Sequence, residues 1–272
     1  MDCCDHIAFV FCNDGLLENK ARALSVKLNL VFIDEFNKTD VEKHLKFGKR
    51  YYLEFKDAEI CLKSIDRNKH GPILSDFLSK SLIYRRVSQG HKKEAILRAA
   101  GVTDNRRPHV IDLTAGLGDD AFILASSGCR VTLIERNPVI FTLLENGFDR
   151  AGSCAVYDAG ISDIVKRMKL VFMDASNFLK NHTELSDVIY LDPMYQKRRK
   201  SAAVRKEMQA FQMVVGGDED APKLLNFALK KARYRVVVKR PLKAPFLANS
   251  EPSFSIKGKT TRFDVFVISP FQ

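Results

Sequence analysis

The sequence predicts an α/β fold: a mostly parallel, seven-stranded sheet closed by a C-terminal antiparallel hairpin, with a small N-terminal α+β region before it. Three observations predict it. From about Ser75 onward, short apolar runs alternate with stretches of helical periodicity, as in parallel strands joined by crossover helices. One of those runs, residues 110–113, opens straight into a glycine turn and a helix. Near the end the alternation stops, and two strand-like runs flank Lys257-Gly258-Lys259, the pattern of a hairpin.

The elements follow in order. Residues 6–12 are an apolar run with strand character. Leu17, Ala21, Leu24 and Leu28 recur at helical spacing, and residues 30–33 read as a second strand. Residues 50–55 and 58–63 read as two strands joined by a turn at Lys56-Asp57. Residues 68–72 contain Gly71 and Pro72 and mark a boundary, giving a first region over 1–74 and a main domain over 75–272. In that domain, strands are expected at 110–113, 130–134, 170–173, 188–191 and 235–239. Helices are expected at 120–127, 138–148 and 221–232, and the hairpin pairs 254–256 with 262–268.

The chain has 272 residues, room for one large domain and an appendage. Its 46% hydrophobic and 28% charged residues exclude a disordered or fibrous chain. The charge is unusual: 44 Lys and Arg against 33 Asp and Glu give +11, which suits a polyanionic partner such as nucleic acid or a plain basic surface. No apolar run approaches the ~18 residues of a membrane span, and the acidic start Met1-Asp2-Cys3-Cys4-Asp5 is not that of a signal peptide. The six cysteines form no Cys-x-x-Cys pair and the six histidines show no ligand spacing, so free thiols in a reducing cytoplasm and no metal are expected.

Two turns carry chemistry. In the first, Asp112-Leu-Thr-Ala-Gly116-Leu-Gly118-Asp119-Asp120, the glycines allow a sharp turn and close approach of a ligand to the backbone. The helix that follows offers unsatisfied N–H groups. Glu135, 19 residues beyond Gly116, ends the next strand, where a carboxylate can accept from both hydroxyls of a ribose. Gly116-x-Gly118-x-x-Ala121 also fits the dinucleotide fingerprint. However, Asp112, Asp119 and Asp120 would repel a pyrophosphate and suit the sulfonium and amino groups of S-adenosylmethionine. Helix capping is the plainer reading of Asp119 or Asp120.

The second turn is Asp192-Pro193-Met194-Tyr195 after the strand at 188–191. It is close to the Asp/Asn-Pro-Pro-aromatic turn of enzymes that methylate exocyclic amines of bases. Such an amine is a poor nucleophile because the ring delocalises its lone pair. Hydrogen bonds to the Asp192 carboxylate and the Pro193 carbonyl would draw it towards tetrahedral geometry. Tyr195 could stack on the base, worth roughly 1–3 kcal/mol. An ordinary Asp-Pro turn is the bland reading. Lys197, Arg198, Arg199, Lys200, Arg205 and Lys206 follow and could hold RNA phosphates. A second basic cluster, Lys230, Lys231, Arg233, Arg235, Lys239, Arg240 and Lys243, has the look of a solvated face. Ser176 and Asn177, after Asp174, could meet an adenine ring or form part of a helix cap.

Together, Asp112 to Asp120, Glu135-Arg136-Asn137-Pro138, Tyr190-Leu-Asp-Pro-Met-Tyr195, Lys200-Ser201-Ala202, Lys206-Glu207-Met208 and Val236-Val-Val-Lys-Arg-Pro241 resemble the RsmJ family, from about Ser75 to the end. The resemblance implies a class I (Rossmann-like) methyltransferase of the bacterial cytoplasm. It would transfer methyl from S-adenosylmethionine, leaving S-adenosylhomocysteine, to N2 of guanine 1516 in 16S ribosomal RNA, free or in the 30S subunit. It further implies cofactor contacts at Asp119, Asp120, Glu135, Arg136, Ser176, Asn177 and Asp192. Two other functions stay open: a nicotinamide-dependent oxidoreductase, and a non-catalytic RNA-binding assembly factor. An adenine-N6 or protein-amine methyltransferase lies close to the main reading.

Overall fold

A computed structural model describes residues 4–35, 37–66, 71–88, 94–153, 159–194 and 206–272, with backbone alone at 38, 88, 159 and 206–210. The strands are β1 (Ile7–Cys12), β2 (Val31–Ile33), β3 (Tyr51–Lys56), β4 (Glu59–Ser64), β5 (Val110–Asp112), β6 (Val131–Glu135), β7 (Met168–Phe172), β8 (Ser186–Leu191), β9 (Ala232–Pro241), β10 (Phe254–Lys257) and β11 (Thr261–Val267). The helices are α1 (Glu18–Lys27), α2 (Lys38–Lys46), α3 (Lys80–Ser88), α4 (Ala95–Ala100), α5 (Asp119–Ser126), α6 (Pro138–Ser153), α7 (Ala159–Val165), α8 (Ala175–Asn181), α9 (Lys206–Val215) and α10 (Ala221–Lys231). Among the described residues no helix is long and apolar enough to cross a membrane.

The chain divides into two units. The first holds Met1–Ser75, Asn137–Arg150 and the described residues of Lys197–Gly217. Its four-stranded sheet has the order β2-β1-β3-β4, with β1 parallel to both neighbours. β3 and β4 form the expected hairpin, and Asp57 and Ala58 turn it at φ 49° and 67°. Phe9 stacks on Tyr52 at 5.1 Å in the core, beside Ala8 and Ile65. Helix α2 was not expected from apolar spacing. Asn37 and Asp40 start it with a reciprocal capping box. Asn137 caps α6 with its side chain alone, accepting from the Val139 and Ile140 N–H groups while its own amide donates to the Val214 carbonyl at 2.8 Å.

The second unit holds Asp76–Arg136, the described residues of Ala151–Gln196, and Asp218–Gln272. Its seven-stranded sheet has the order β10-β11-β9-β8-β5-β6-β7. β5 to β9 run parallel, and β11 and then β10 add antiparallel, as the sequence predicts. The strands are apolar because helices cover both faces: Ile111, Ile189 and Val236 lie side by side in register, fully buried. Leu179 of α8 and Leu224, Leu225 and Ala228 of α10 complete that core. From β5 the chain steps to β6 and β7 on one side, then to β8 and β9 on the other. The carboxyl ends of β5 and β8 therefore flank the topological switch point, where open α/β sheets bind ligands.

Candidate active site

Asp112 ends β5 and is buried. Its Oδ1 accepts the Thr114 N–H at 3.0 Å, which closes the first bend after the strand. Burial pushes its pKa to about 8, helped by repulsion from Asp120 and Asp192, so Asp112 is mainly neutral at pH 7. The Thr114 hydroxyl accepts the Asp192 N–H at 2.7 Å and ties the loop after β5 to the loop after β8. Gly116 and Gly118 take φ 55° and 84°, which only glycine adopts without strain. Gly116 N–H donates to Glu135 Oε2 at 3.1 Å, so the buried carboxylate ending β6 shapes the glycine turn directly.

Gly118 is the N-cap of α5, and no side chain caps that helix. The capping role weighed for Asp119 and Asp120 is thus not what the structure has. Asp119 lies exposed in the first helical turn. Asp120 points into a buried polar cluster. Its Oδ2 accepts from the Tyr190 hydroxyl at 2.8 Å and from Lys239 Nζ at 2.7 Å, and its Oδ1 faces the Arg85 guanidinium at 3.5 Å. Burial alone would raise the Asp120 pKa, but Lys239, Arg85 and the tyrosine outweigh it and hold it low. Arg85, from α3, also pairs with Glu94 at 3.0 Å.

Lys239 has a second partner: its Nζ donates to Asp192 Oδ2 at 2.8 Å. Burial by itself would lower the pKa of this ammonium, but the two carboxylates raise it well above the usual lysine value. Asp192 sits just past β8, followed by buried Pro193. Desolvation at the strand edge raises its pKa and Lys239 opposes the rise. Some 39% of its side chain stays open to solvent, which tempers that desolvation. Its Oδ1 has no partner among the described residues.

Arg136, next to Glu135, makes a fork to Asp218 and Asp220, both at 2.7 Å, with Asp174 at 3.7 Å. Asp218 in turn accepts the Met194 N–H at 2.8 Å, so this pair braces the turn after Asp192. Asp174 caps α8 by accepting the Asn177 N–H at 3.0 Å. Ser176 is half-buried and Asn177 exposed in the first turn of that helix.

The structure therefore brings Asp112, Gly116, Gly118, Asp119, Asp120, Glu135, Arg136, Ser176, Asn177, Asp192 and Pro193 to the carboxyl edge of one sheet. Tyr195, Lys197, Arg198, Arg199, Lys200 and Arg205 lie outside the described residues, as does the side chain of Lys206, whose backbone opens α9. Sequence reasoning missed Thr114, Tyr190, Arg85, Asp218 and Lys239. It assigned Lys239 and Arg240 to a solvated basic face. Instead, Lys239 is largely buried among carboxylates and buried Arg240 donates to the Pro245 carbonyl. A signal existed: the first cation after the valine run of a strand that pairs Val238 with Leu191 stands opposite Asp192.

A family profile described as "Putative SAM-dependent methyltransferase" matches residues 37–268. The chain is 46% identical over 215 residues to a ribosomal RNA small subunit methyltransferase J of Pseudoalteromonas atlantica, covering 78% of this chain and 83% of that one. A relative with the same name from Thioalkalivibrio sulfidiphilus is 44% identical over 253 residues, 92% of this chain and 94% of the other. One from Coxiella burnetii is 41% identical over 255 residues, 94% of each. A crystal structure of a SAM-dependent methyltransferase from Neisseria gonorrhoeae matches with TM-score 0.70 and 30% identity over 97% of both chains.

Proposed function

We propose a function for a chain that belongs to the ribosomal RNA small subunit methyltransferase J family: it methylates N2 of a guanine, position 1516, in 16S ribosomal RNA. The chain is an S-adenosylmethionine-dependent methyltransferase. The residues present fit that cofactor. A ring of carboxylates suits a cation and two ribose hydroxyls, and positive-φ glycines before an uncapped helix leave room for close approach. Glu135 would hold the ribose. Asp112, Gly116, Gly118, Asp119 and Asp120 would line the methionine side, with Arg136, Ser176 and Asn177 towards the adenine. When bound, S-adenosylmethionine supplies an electrophilic methyl that leaves without the bonding electrons, so the accepting amine must give up a proton.

One observation carries the reading. Asp192 is held at the switch point with Oδ2 on Lys239 and with Oδ1 unpartnered among the described residues, followed by a buried proline. A base amine donating to Oδ1 and to the Pro193 carbonyl has its lone pair directed away from both acceptors. Asp192 is then placed to take the surplus proton. Tyr195 stacks on the base, and Lys197, Arg198, Arg199, Lys200, Arg205 and Lys206 hold the phosphates, by their type and position in the sequence. The +11 charge favours such a partner, and the enzyme works in the cytoplasm on 16S RNA or the 30S subunit.

The test is transfer of labelled methyl to naked 16S RNA and to 30S subunits from cells lacking the activity, followed by digestion to nucleosides. Label in N2-methylguanosine is expected. Label in N6-methyladenosine or in protein would overturn the substrate and leave the cofactor standing.

A further inference from the structure

Lys239 has no role in the function as proposed so far. It occupies the carboxyl end of β9, opposite Asp192 across the β8–β9 ladder. Its ammonium bridges two carboxylates that come from different strand–loop junctions, Asp120 at 2.7 Å and Asp192 at 2.8 Å. Both contacts use Oδ2. Asp120 is fully engaged by the protein itself, through Lys239, Tyr190 and Arg85. Among the described residues, Asp192 has only Lys239 on its carboxylate.

We propose that Lys239 is a positioning residue for methyl transfer: anchored on Asp120, it locks the Asp192 carboxylate so that Oδ1 alone faces the incoming amine, and keeps that carboxylate ionised. The inference rests on Asp192 receiving the amine. A free carboxylate can rotate and offer either oxygen. Tethered through Oδ2, it presents one acceptor in one direction, and holding a reacting group in that way lowers the barrier. The ionised form matters because a protonated Asp192 would donate to the amine and neither localise its lone pair nor take its proton.

Several groups act on Asp192 from the neighbouring elements. Asp120 of α5 and Asp218, before α10, repel its charge. Asp112 of β5 is another carboxyl close enough to interact with it, as is the Tyr190 hydroxyl of β8. Lys239 is the cation on it, while Arg85 acts on Asp120. Among the described residues, removing Lys239 leaves three other carboxyls near Asp192 and no cation in contact with it. Loss of an opposite charge at this distance shifts a carboxylate pKa by about 1–3 units.

The experiment compares Lys239→Met and Lys239→Arg with the wild-type chain, measuring kcat and KM on the RNA across pH and S-adenosylhomocysteine binding by calorimetry. For Lys239→Met, kcat at pH 7 should fall roughly 100-fold. The acidic limb of its rate profile should move up by about 1–3 pH units, so that activity recovers partly in alkali. Lys239→Arg, which keeps the charge, should keep the limb near its wild-type position. An unmoved limb in Lys239→Met, or undiminished kcat, would overturn the proposal. If Lys239→Met does not fold, the limb of Lys239→Arg decides: a shift like that expected for loss of charge overturns it. Asp192→Ala in the same assay separates the two claims. Its turnover would sink the Asp192 reading itself, whereas its silence beside an unmoved Lys239→Met limb sinks only the role of Lys239.

Discussion

The two edges of the seven-stranded sheet handle charge in opposite ways. At the amino edge, Arg106 and Arg235 lean on an aromatic ring and on backbone carbonyls. Arg235 lies over the Phe271 ring at 4.8 Å and donates to the Ala99 carbonyl at 3.0 Å, and Arg106 lies over the same ring at 4.4 Å. Tyr234 packs on Phe271 at 4.6 Å. These contacts close off the end of the sheet and ask for no ligand. At the carboxyl edge, Asp112, Asp120 and Asp192 crowd round one lysine, and burial set against that cation moves their proton affinities apart. A protein tolerates such crowding at the cost of stability where it has a use for it. The difference teaches which edge is built for stability and which for chemistry.

Three substitutions sharpen that contrast. The largest effect is expected of Glu135→Ala, which removes the acceptor of the Gly116 N–H and the carboxylate for the ribose. S-adenosylhomocysteine affinity by calorimetry should weaken about 10- to 100-fold. Unchanged affinity would break the link between the acidic edge and the cofactor. Phe271→Ala, at the other edge, should lower stability by about 2 kcal/mol in denaturant titration and leave kcat untouched. A fall in kcat with full stability would mean that the amino edge takes part in the reaction.

The smallest effect concerns pH. The folded pKa of Asp112, about 8, lies above its unfolded value of 3.8. Its contribution to stability is complete below about pH 4 and is lost as pH rises through about 8. From pH 7 to pH 9 the ligand-free chain should lose about 1–2 kcal/mol by this route, and Asp112→Asn should remove that slope. Equal slopes in the two proteins would show that Asp112 is charged in the folded state.

Much of this could be read in the sequence, for physical reasons. Strands β5, β6 and β8 and the Val236–Val238 stretch of β9 are buried on both faces, so their apolar runs stand out, and Gly116, Gly118 and Asp192 fall at strand ends where ligands bind. Helices α2, α3 and α4 escaped because they are short, and α2 is set by a cap and not by an apolar stripe. The partners of Arg136 stand 82 and 84 residues away, and Tyr190 reaches Asp120 over 70. No local pattern encodes such pairs; strand register and loop path create them. Lys239 is the instructive case, since its type suggested a solvated face while its position at the carboxyl end of β9 gave it two carboxylate partners.

The central claim is that the carboxyl edge activates an amine through Asp192. The most direct measurement is single-turnover methyl transfer to 16S RNA by Asp192→Ala, with S-adenosylhomocysteine affinity and the unfolding midpoint determined on the same preparation. The account predicts a folded protein that still binds the cofactor and transfers no detectable methyl. Transfer at the wild-type rate would contradict it.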